Sequence, residues 1–382
     1  MILCEVKKSK NMSENVVVKP KREMLNYINV FRGLAILLIL AGHTMQIGAK
    51  GSWVNNISFE VWAGGTALFI FISGFLFQHL SSKFEYKNYL SKKWTNVIIP
   101  YMVTAIPGII LCFLVPQLYG NPFDGLNPLA QIGVFLTTGR VHNVPAWFIP
   151  MIVIFFMFSW VLLYLEKKNL LYKTLPVLFI ITFCVPRMDI EPEWVANLDY
   201  LHKYFEYLKF IGSSFVHFMS MYVFGMFLSK NKDNIDFFWD KRVFFFGLMI
   251  VTAIADVYFN HCGMMFNGTV SKIFLTVLVL AYLKHYDEKI KANEKLNNIL
   301  DVTAKYSFGL FFIHWYFVFA FNRLFDVPKV LPVNSIMEFF ISSGIACLRY
   351  LFVLGMSFFT LFIIKTILKK LKIENTRTFI GV

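Results

Sequence analysis

Residues 31–44 read FRGLAILLILAGHT, an apolar run with Arg32 near its start and His43 near its end. Runs of this kind, long enough to cross about 30 Å of hydrocarbon as a helix, recur along the chain. Of the 382 residues, 57% are hydrophobic and 16% are charged, whereas a soluble domain averages about 25% charged residues. The composition therefore predicts an all-α fold, that of a polytopic helical membrane protein.

We predict about ten transmembrane helices from the apolar runs. They cover residues 26–48, 58–80, 95–116, 146–165, 170–186, 205–229, 242–259, 268–284, 303–322 and 337–367. These spans form one membrane domain, residues 25–368, between two polar and basic cytoplasmic tails, residues 1–24 and 369–382.

The basic residues indicate the orientation. If the N-terminus is cytoplasmic, 27 of the 37 lysines and arginines fall in segments on the inner side. Such an excess is the positive-inside rule, so we expect both termini in the cytoplasm. This topology and the attraction to anionic membrane lipid account for the net charge of +14. Nucleic acid is not an expected partner, because basic and aromatic residues do not interleave on a soluble surface.

Arg32 and His43 are eleven residues apart, which in a helix is almost three whole turns and about 16 Å. The two side chains therefore share one helix face at different depths. Ionisable residues within a membrane usually face a bundle interior or a watery cavity and are functional candidates. The alternative is structural: Arg32 reaches toward the lipid headgroups, and His43 is a hydrogen-bonded core histidine.

The ninth span contains a second polar position. It reads LDVTAKYSFGLFFIHWYFVF (300–319) and runs in the same direction as the first span, which predicts His314 at a depth comparable to that of His43. Ser307 lies two turns before His314 on the same face. Zinc would need a third ligand, for which His217 is the one candidate in another span, and we expect no metal. Arg349 in the tenth span is expected to pair with an acid such as Asp256.

The arrangement of an arginine, ten residues and a histidine in the first span resembles the signature of the acyltransferase-3 family of integral membrane O-acyltransferases. Further blocks of that family are resembled, in order, by LFIFISGFLF (68–77), YLSKKWTNVIIPY (89–101), PAWFIP (145–150), FMSMYVFGMFLSK (218–230) and YSFGLFFIH (306–314). The spacing resembles the branch that acts on sugars and surface polysaccharides. The family often has Asp three residues before the arginine, where this chain has Asn29.

The resemblance implies transfer of an acyl group, with acetyl expected, from cytoplasmic acetyl-CoA or another acyl-CoA. The acceptor would be a hydroxyl of an envelope carbohydrate or lipid-linked glycan such as lipopolysaccharide, at a bacterial inner membrane. Direct transfer and a relay through an acyl-histidine or acyl-serine both fit these residues. Two alternatives stay open: a transporter or flippase that uses the buried Arg and His, and the other large family of membrane-bound O-acyltransferases.

The resemblance and the chemistry of acyl transfer together assign candidate roles. His43 fits a general base, because imidazole is the side chain whose ordinary pKa lies near neutrality. His314 is the second catalytic candidate, and Arg32 fits a clamp on the phosphates of coenzyme A. Packing through small residues and an interfacial aromatic belt are the structural alternatives for several of the others. The further donor-binding candidates are Ser73, Gly74, Lys92 and Lys93, and the acceptor-binding candidates are Trp147, Ser307, Glu60 and His142.

Overall fold

The fold is that of a computed structural model, which describes residues 25–115, 123–139, 145–185, 197–264, 268–328, 330–373 and 375–382. Within these residues every regular element is helical, and one isolated bridge joins Ile47 to Leu331. The predicted all-α fold is confirmed.

Sixteen α-helices follow one another among the described residues. They are α1 (Asn26–Thr44), α2 (Trp53–Trp62), α3 (Gly65–His79), α4 (Tyr86–Lys93), α5 (Ile99–Leu114), α6 (Pro128–Thr138), α7 (Phe148–Lys167), α8 (Leu175–Cys184), α9 (Tyr200–Lys230), α10 (Asn234–Asp240), α11 (Arg242–His261), α12 (Thr269–His285), α13 (Asp287–Ala292), α14 (Glu294–Leu324), α15 (Ile336–Lys370) and α16 (Arg377–Ile380). Short 3₁₀ turns lie at Ser81–Lys83, Pro145–Trp147 and Leu171–Thr174, and a π-helical turn at Trp94–Ile98.

Seven helical stretches among the described residues are long and apolar enough to cross a membrane. They are Asn26–Thr44, Trp53–His79, Tyr86–Leu114, Phe148–Lys167, Tyr200–Lys230, Arg242–His261 and Ile336–Lys370. The protein is therefore an integral membrane protein with multiple helical spans. The other three predicted spans coincide with α8, α12 and α14; the first two are short, and α14 is long but less apolar.

Helix α6, which lies between the third and fourth predicted spans, was not predicted from the sequence. The hydroxyl of Tyr101 on α5 donates to the carbonyl oxygens of Phe135 (3.0 Å) and Leu136 (3.1 Å), near the end of α6. Gly139 then adopts a left-handed conformation with φ of +65°, which ends the helix. The short helix is thus tied into the bundle through α5.

Helices α1 and α14 pack side by side and run in the same direction. Asn29 hydrogen-bonds Asp301 near their starts, and His43 lies beside His314 farther along. Contact is close because Gly33 has no side chain: a Cβ there would lie 3.0 Å from the carbonyl oxygen of Leu300. This parallel pairing confirms that the first and ninth spans share one direction.

Candidate active site

A pair of histidines lies at the contact between α1 and α14. The ring centroids of His43 and His314 are 5.4 Å apart, and the ring planes are inclined by 31°. Trp315 meets the ring of His43 edge to face at 5.3 Å. The predicted common depth of the two histidines is therefore confirmed, and two imidazoles face each other within the bundle.

The hydrogen bonds of His314 indicate its tautomer. The side chain is fully buried, and Nδ1 lies 2.9 Å from the carbonyl oxygens of both Leu310 and Phe311. Because a carbonyl oxygen only accepts, we assign the proton to Nδ1, and Nε2 of the neutral ring keeps its lone pair. Nε2 is buried and has no hydrogen-bond partner within the described part of the chain. This nitrogen is thus available to accept a proton or a hydrogen bond.

Arg32 heads a polar chain toward the other end of α1. Its Nη2 donates to Asn29 (2.9 Å), the amide of Asn29 donates to Asp301 on α14 (2.8 Å), and Lys305 pairs with the same carboxylate at 2.5 Å. The Nε atom of Arg32 is buried without an acceptor among the residues the structure describes. An unsatisfied charged donor of this kind marks a place for an anionic oxygen or a water molecule.

Lys93 lies on α4, just before the π-helical turn. Its ammonium group lies over the rings of Tyr89 (5.1 Å to the centroid) and Phe156 (4.7 Å). Cation–π contacts of this kind hold the charge at a half-buried site. Lys92 is instead exposed at the surface.

A family profile described as an acyltransferase domain matches residues 25–348, most of the chain. The protein belongs to the acyltransferase-3 family. No curated protein and no solved structure matches it significantly. Both histidines and Arg32 lie inside the matched region, whereas α15 from Arg349 onward and everything after it lie outside. Membership implies acyltransferase activity, for which an acyl donor and an acceptor are needed.

Arg349 holds the end of α1 in this acyltransferase, and the predicted pairing with Asp256 is wrong. The guanidinium is buried; Nε donates to the carbonyl oxygen of Thr44 at 2.8 Å, and Nη1 to Asn322 and Pro328 at 3.3 Å. A cation is favourable where the last carbonyls of a helix are unsatisfied. Since Thr44 follows His43, Arg349 steadies the backbone beside the histidine pair. The sequence identified Arg349 as a buried charge, but the partner predicted for it was an acidic side chain and not a helix terminus.

Asp256 belongs to a second buried polar cluster, together with Glu60. The amide of Asn260 donates to Asp256 at 2.9 Å, and Lys272 and Ser271 on α12 bind the carboxylate of Glu60 at 2.8 and 2.5 Å. The carboxylate of Glu60 is thus engaged by its own protein, which supports a structural role for a residue predicted to bind the acceptor.

Two donor-binding candidates lie where α3 crosses α9. A Cβ at Gly74 would collide with the carbonyl oxygen of Tyr222, and one at Gly225 would collide with that of Phe71. The hydroxyl of Ser73 donates to Phe69 of its own helix at 2.8 Å. Helix packing therefore accounts for Gly74, as the alternative interpretation held.

The acceptor-binding candidates lie in different places. Trp147 is 8% exposed and meets Phe210 edge to face at 5.3 Å, so its ring packs against the protein and not outward into lipid, as the alternative of an interfacial aromatic belt would require. The next ring, Phe148, lies 5.3 Å from Phe311, which places the start of α7 near the depth of the histidine pair. Ser307 is buried on α14, and His142 lies outside the described residues.

Metal binding finds no support within the described part of the chain. No three His, Cys, Asp or Glu residues there lie close enough together to hold an ion. The two nitrogens of His217 lie 2.8 Å from the carbonyl oxygen of Val185 and the hydroxyl of Thr269, so both are already engaged.

Proposed function

We propose that this protein transfers an acyl group, acetyl in the first instance, from cytoplasmic acyl-CoA to a hydroxyl of an envelope carbohydrate or glycolipid. The observation that carries the proposal is the pair of imidazoles at 5.4 Å, with Arg32 on the same face of α1 about 16 Å away along the helix. The proposed setting is a bacterial inner membrane, with both termini in the cytoplasm and residues 25–368 as the catalytic membrane domain.

The cationic end of α1 is proposed to bind the donor's phosphates. Arg32 has a buried Nε donor without an acceptor among the described residues, and Lys93 adds a second positive charge from α4. Arginine binds phosphate oxygens through several N–H donors at once. A pantetheine arm extended from this site has about the length needed to carry a thioester along α1 to His43.

The reaction needs a group that accepts the proton of the attacking hydroxyl and then donates it to the leaving thiolate. The acceptor hydroxyl oxygen attacks the thioester carbonyl while its proton passes to His43; the C–O bond forms, the C–S bond breaks, and the proton then goes to the departing thiolate. In this proposal, the free Nε2 of His314 accepts a hydrogen bond from the ring N–H of His43. Such a bond would orient the ring of His43, which is the role a carboxylate has toward histidine in hydrolase triads.

The test is acyl transfer in inside-out vesicles that contain the protein and native acceptor, supplied with CoA carrying a labelled acetyl group. Base-labile label should enter the glycan and glycolipid fraction with the native protein. His43→Ala should reduce the rate by about 10²–10⁴-fold, the usual contribution of a general base. Arg32→Ala should raise the CoA concentration needed for half-maximal rate. His314→Ala should lower the rate and shift its dependence on pH.

The matched control is His261→Ala, which removes an exposed imidazole that stacks on Trp53 at 4.1 Å. This variant should transfer label at the native rate. Absence of His43-dependent incorporation from acetyl-CoA and other acyl-CoAs, in vesicles shown to contain acceptor, would favour the transporter alternative.

A further inference from the structure

The last described residues of the chain, 375–382, form a C-terminal segment that lies against the bundle. The sequence predicts a basic cytoplasmic tail over residues 369–382; within it, Thr376 and Ile380 are each 5% exposed, and Ile380 belongs to the main hydrophobic core. The hydroxyl of Thr376 donates to the carbonyl oxygen of Val382 at 2.6 Å, which closes the segment on itself. Burial of its apolar side chains therefore anchors the C-terminal segment.

The segment rests on a glycine of α14. A Cβ at Gly309 would lie 2.8 Å from the side chain of Val382 and 2.9 Å from the carbonyl oxygen of Ile380. Gly381 adopts a left-handed conformation, with φ of +76°, where it meets Phe308. Gly309 lies two residues after Ser307 and five before His314, so the segment lies beside the helix that carries the site.

The same segment contacts α5 and the π-helical turn that follows Lys93. Its short helix begins with Arg377, whose side chain is exposed while its neighbours Thr376 and Ile380 are buried. The guanidinium of Arg377 lies within electrostatic range of both Arg32 and Lys93. Although much of its side chain is exposed, partial burial lowers the pKa of Arg377 from its ordinary value.

The C-terminal segment, which contacts the turn that follows Lys93, thus brings a third cation within range of Arg32 on α1 and Lys93 on α4. The carboxylate of Asp301 on α14, which acts on Arg32, is already paired with Lys305 and bonded to Asn29. Like charges held together in a partly buried site repel one another unless an anion lies between them. The buried Nε of Arg32, which lacks an acceptor within the described residues, points to the same missing partner.

We propose that Arg377 is a further donor-binding residue, and that the C-terminal segment completes, with Arg32 and Lys93, a three-cation site for a phosphorylated ligand. This inference rests on the proposed function for the ligand's identity, a phosphate-bearing acyl donor. The phosphate group of an anionic lipid has the same chemistry and could also occupy the site. The experiment distinguishes this lipid from the acyl donor. The segment lies outside the region matched by the acyltransferase family, so this contact belongs to this chain's own C-terminal residues.

The test measures equilibrium binding of CoA, and separately of pantetheine, to the purified full-length protein in nanodiscs made of neutral lipid alone. Arg377→Gln should weaken CoA binding about tenfold or more, the effect of losing one charge-assisted hydrogen bond. Binding of pantetheine, which has no phosphate, should be unchanged. Arg377→Lys keeps the charge and should lie between the native protein and Arg377→Gln.

The matched control is Arg323→Gln, which removes an exposed guanidinium near the other end of α14 and should leave CoA affinity unchanged. If Arg377→Gln bound CoA as tightly as the native protein while Arg32→Gln bound it more weakly, this inference would be overturned and the proposed function would stand. No CoA binding by the native protein would overturn both. An equal loss for CoA and pantetheine, or an effect of Arg377 that appears only in nanodiscs with anionic lipid, would also overturn the assignment to the donor.

Discussion

Asn29 carries no charge because the carboxylate at this point of the site comes from another helix. Its side-chain oxygen accepts from Arg32 (2.9 Å), and its amide nitrogen donates to Asp301 on α14 (2.8 Å). The aspartate that resembling proteins often have three residues before the arginine is thus replaced here by an amide that bridges to a carboxylate. An Asp at position 29 would place two carboxylates within hydrogen-bond distance, where both cannot remain ionised without cost.

The pair Asn29 and Asp301 should therefore be coupled. Asn29→Asp alone is expected to destabilise the protein, whereas adding Asp301→Asn restores one amide and one carboxylate and recovers much of the loss. The coupling free energy should be about 0.5–3 kcal/mol, typical of residues in direct contact. It is measured from thermal unfolding in mild detergent across the double-mutant cycle. Simple addition of the two single effects would contradict the bridging role.

Arg349 offers a second prediction at the scale of single residues. Arg349→Met keeps the length and apolar stem of the side chain but removes the donor to the Thr44 carbonyl. A lost hydrogen bond to a charged group costs about 1.5–3 kcal/mol, so the unfolding temperature should fall. Acyl transfer should fall as well, because the end of α1 carries His43. Arg323→Met, at an exposed arginine, is the control. A stability loss with native turnover would show that Arg349 supports the fold but not the histidine pair.

At the scale of elements, the crossing of α3 and α9 depends on the absence of two side chains. Gly74→Ala should force the helices apart, because the added methyl group meets backbone and not a flexible side chain. Overpacking of this kind costs about 1–3 kcal/mol. Gly355→Ala on α15 is the control, since a Cβ there meets nothing within 4 Å and alanine favours a helix. Equal unfolding temperatures for the two variants would contradict the packing role of Gly74.

The helices of this protein were largely predictable from sequence, since each predicted span corresponds to a helix. The parallel placement of α1 and α14 was also predictable, because counting spans from the basic loops gives both the same direction. The exceptions involve elements that no hydropathy pattern marks. Helix α6 has eleven residues, too few to register as a span, and is held by the Tyr101 hydroxyl. The C-terminal segment is too short to register as a span, and its anchoring needs the surface of α14 that Gly309 leaves open.

In the candidate active site, too, some positions were predictable from the sequence and others required the tertiary structure. Helical spacing placed Arg32 and His43 on one face, and depth alone placed His314 beside them. The partner of Arg349 could not be predicted, because it is a backbone carbonyl at a helix terminus. Every residue has a backbone carbonyl, so no residue type marks it. Trp147 was a candidate for acceptor binding with an interfacial aromatic belt as the alternative, and the structure packs its ring against Phe210. Positions that depend on where a connecting segment enters the bundle require the tertiary structure.

At the scale of the whole molecule, the direction of the bundle decides which face the donor reaches. Arg32 and the C-terminal segment must face the cytoplasm if CoA is the donor. Two positions report this orientation: Cys262, exposed after α11 and expected outside, and Lys291, exposed on α13 and expected inside. Positive charge is concentrated on the α13 side, where Lys284, Lys289, Lys291 and Lys295 lie close in sequence.

A membrane-impermeant maleimide should therefore label Cys262 in right-side-out vesicles, with the other cysteines replaced by serine. Lys291→Cys in a cysteine-free background should be labelled in inside-out vesicles instead. Detergent-opened vesicles, where both positions must react, control for burial. The reverse pattern would place Arg32 and the three-cation site outside, where acyl-CoA is absent. The phosphate chemistry of that site would then have to serve a lipid-borne ligand, and acyl transfer from a cytoplasmic donor would be excluded.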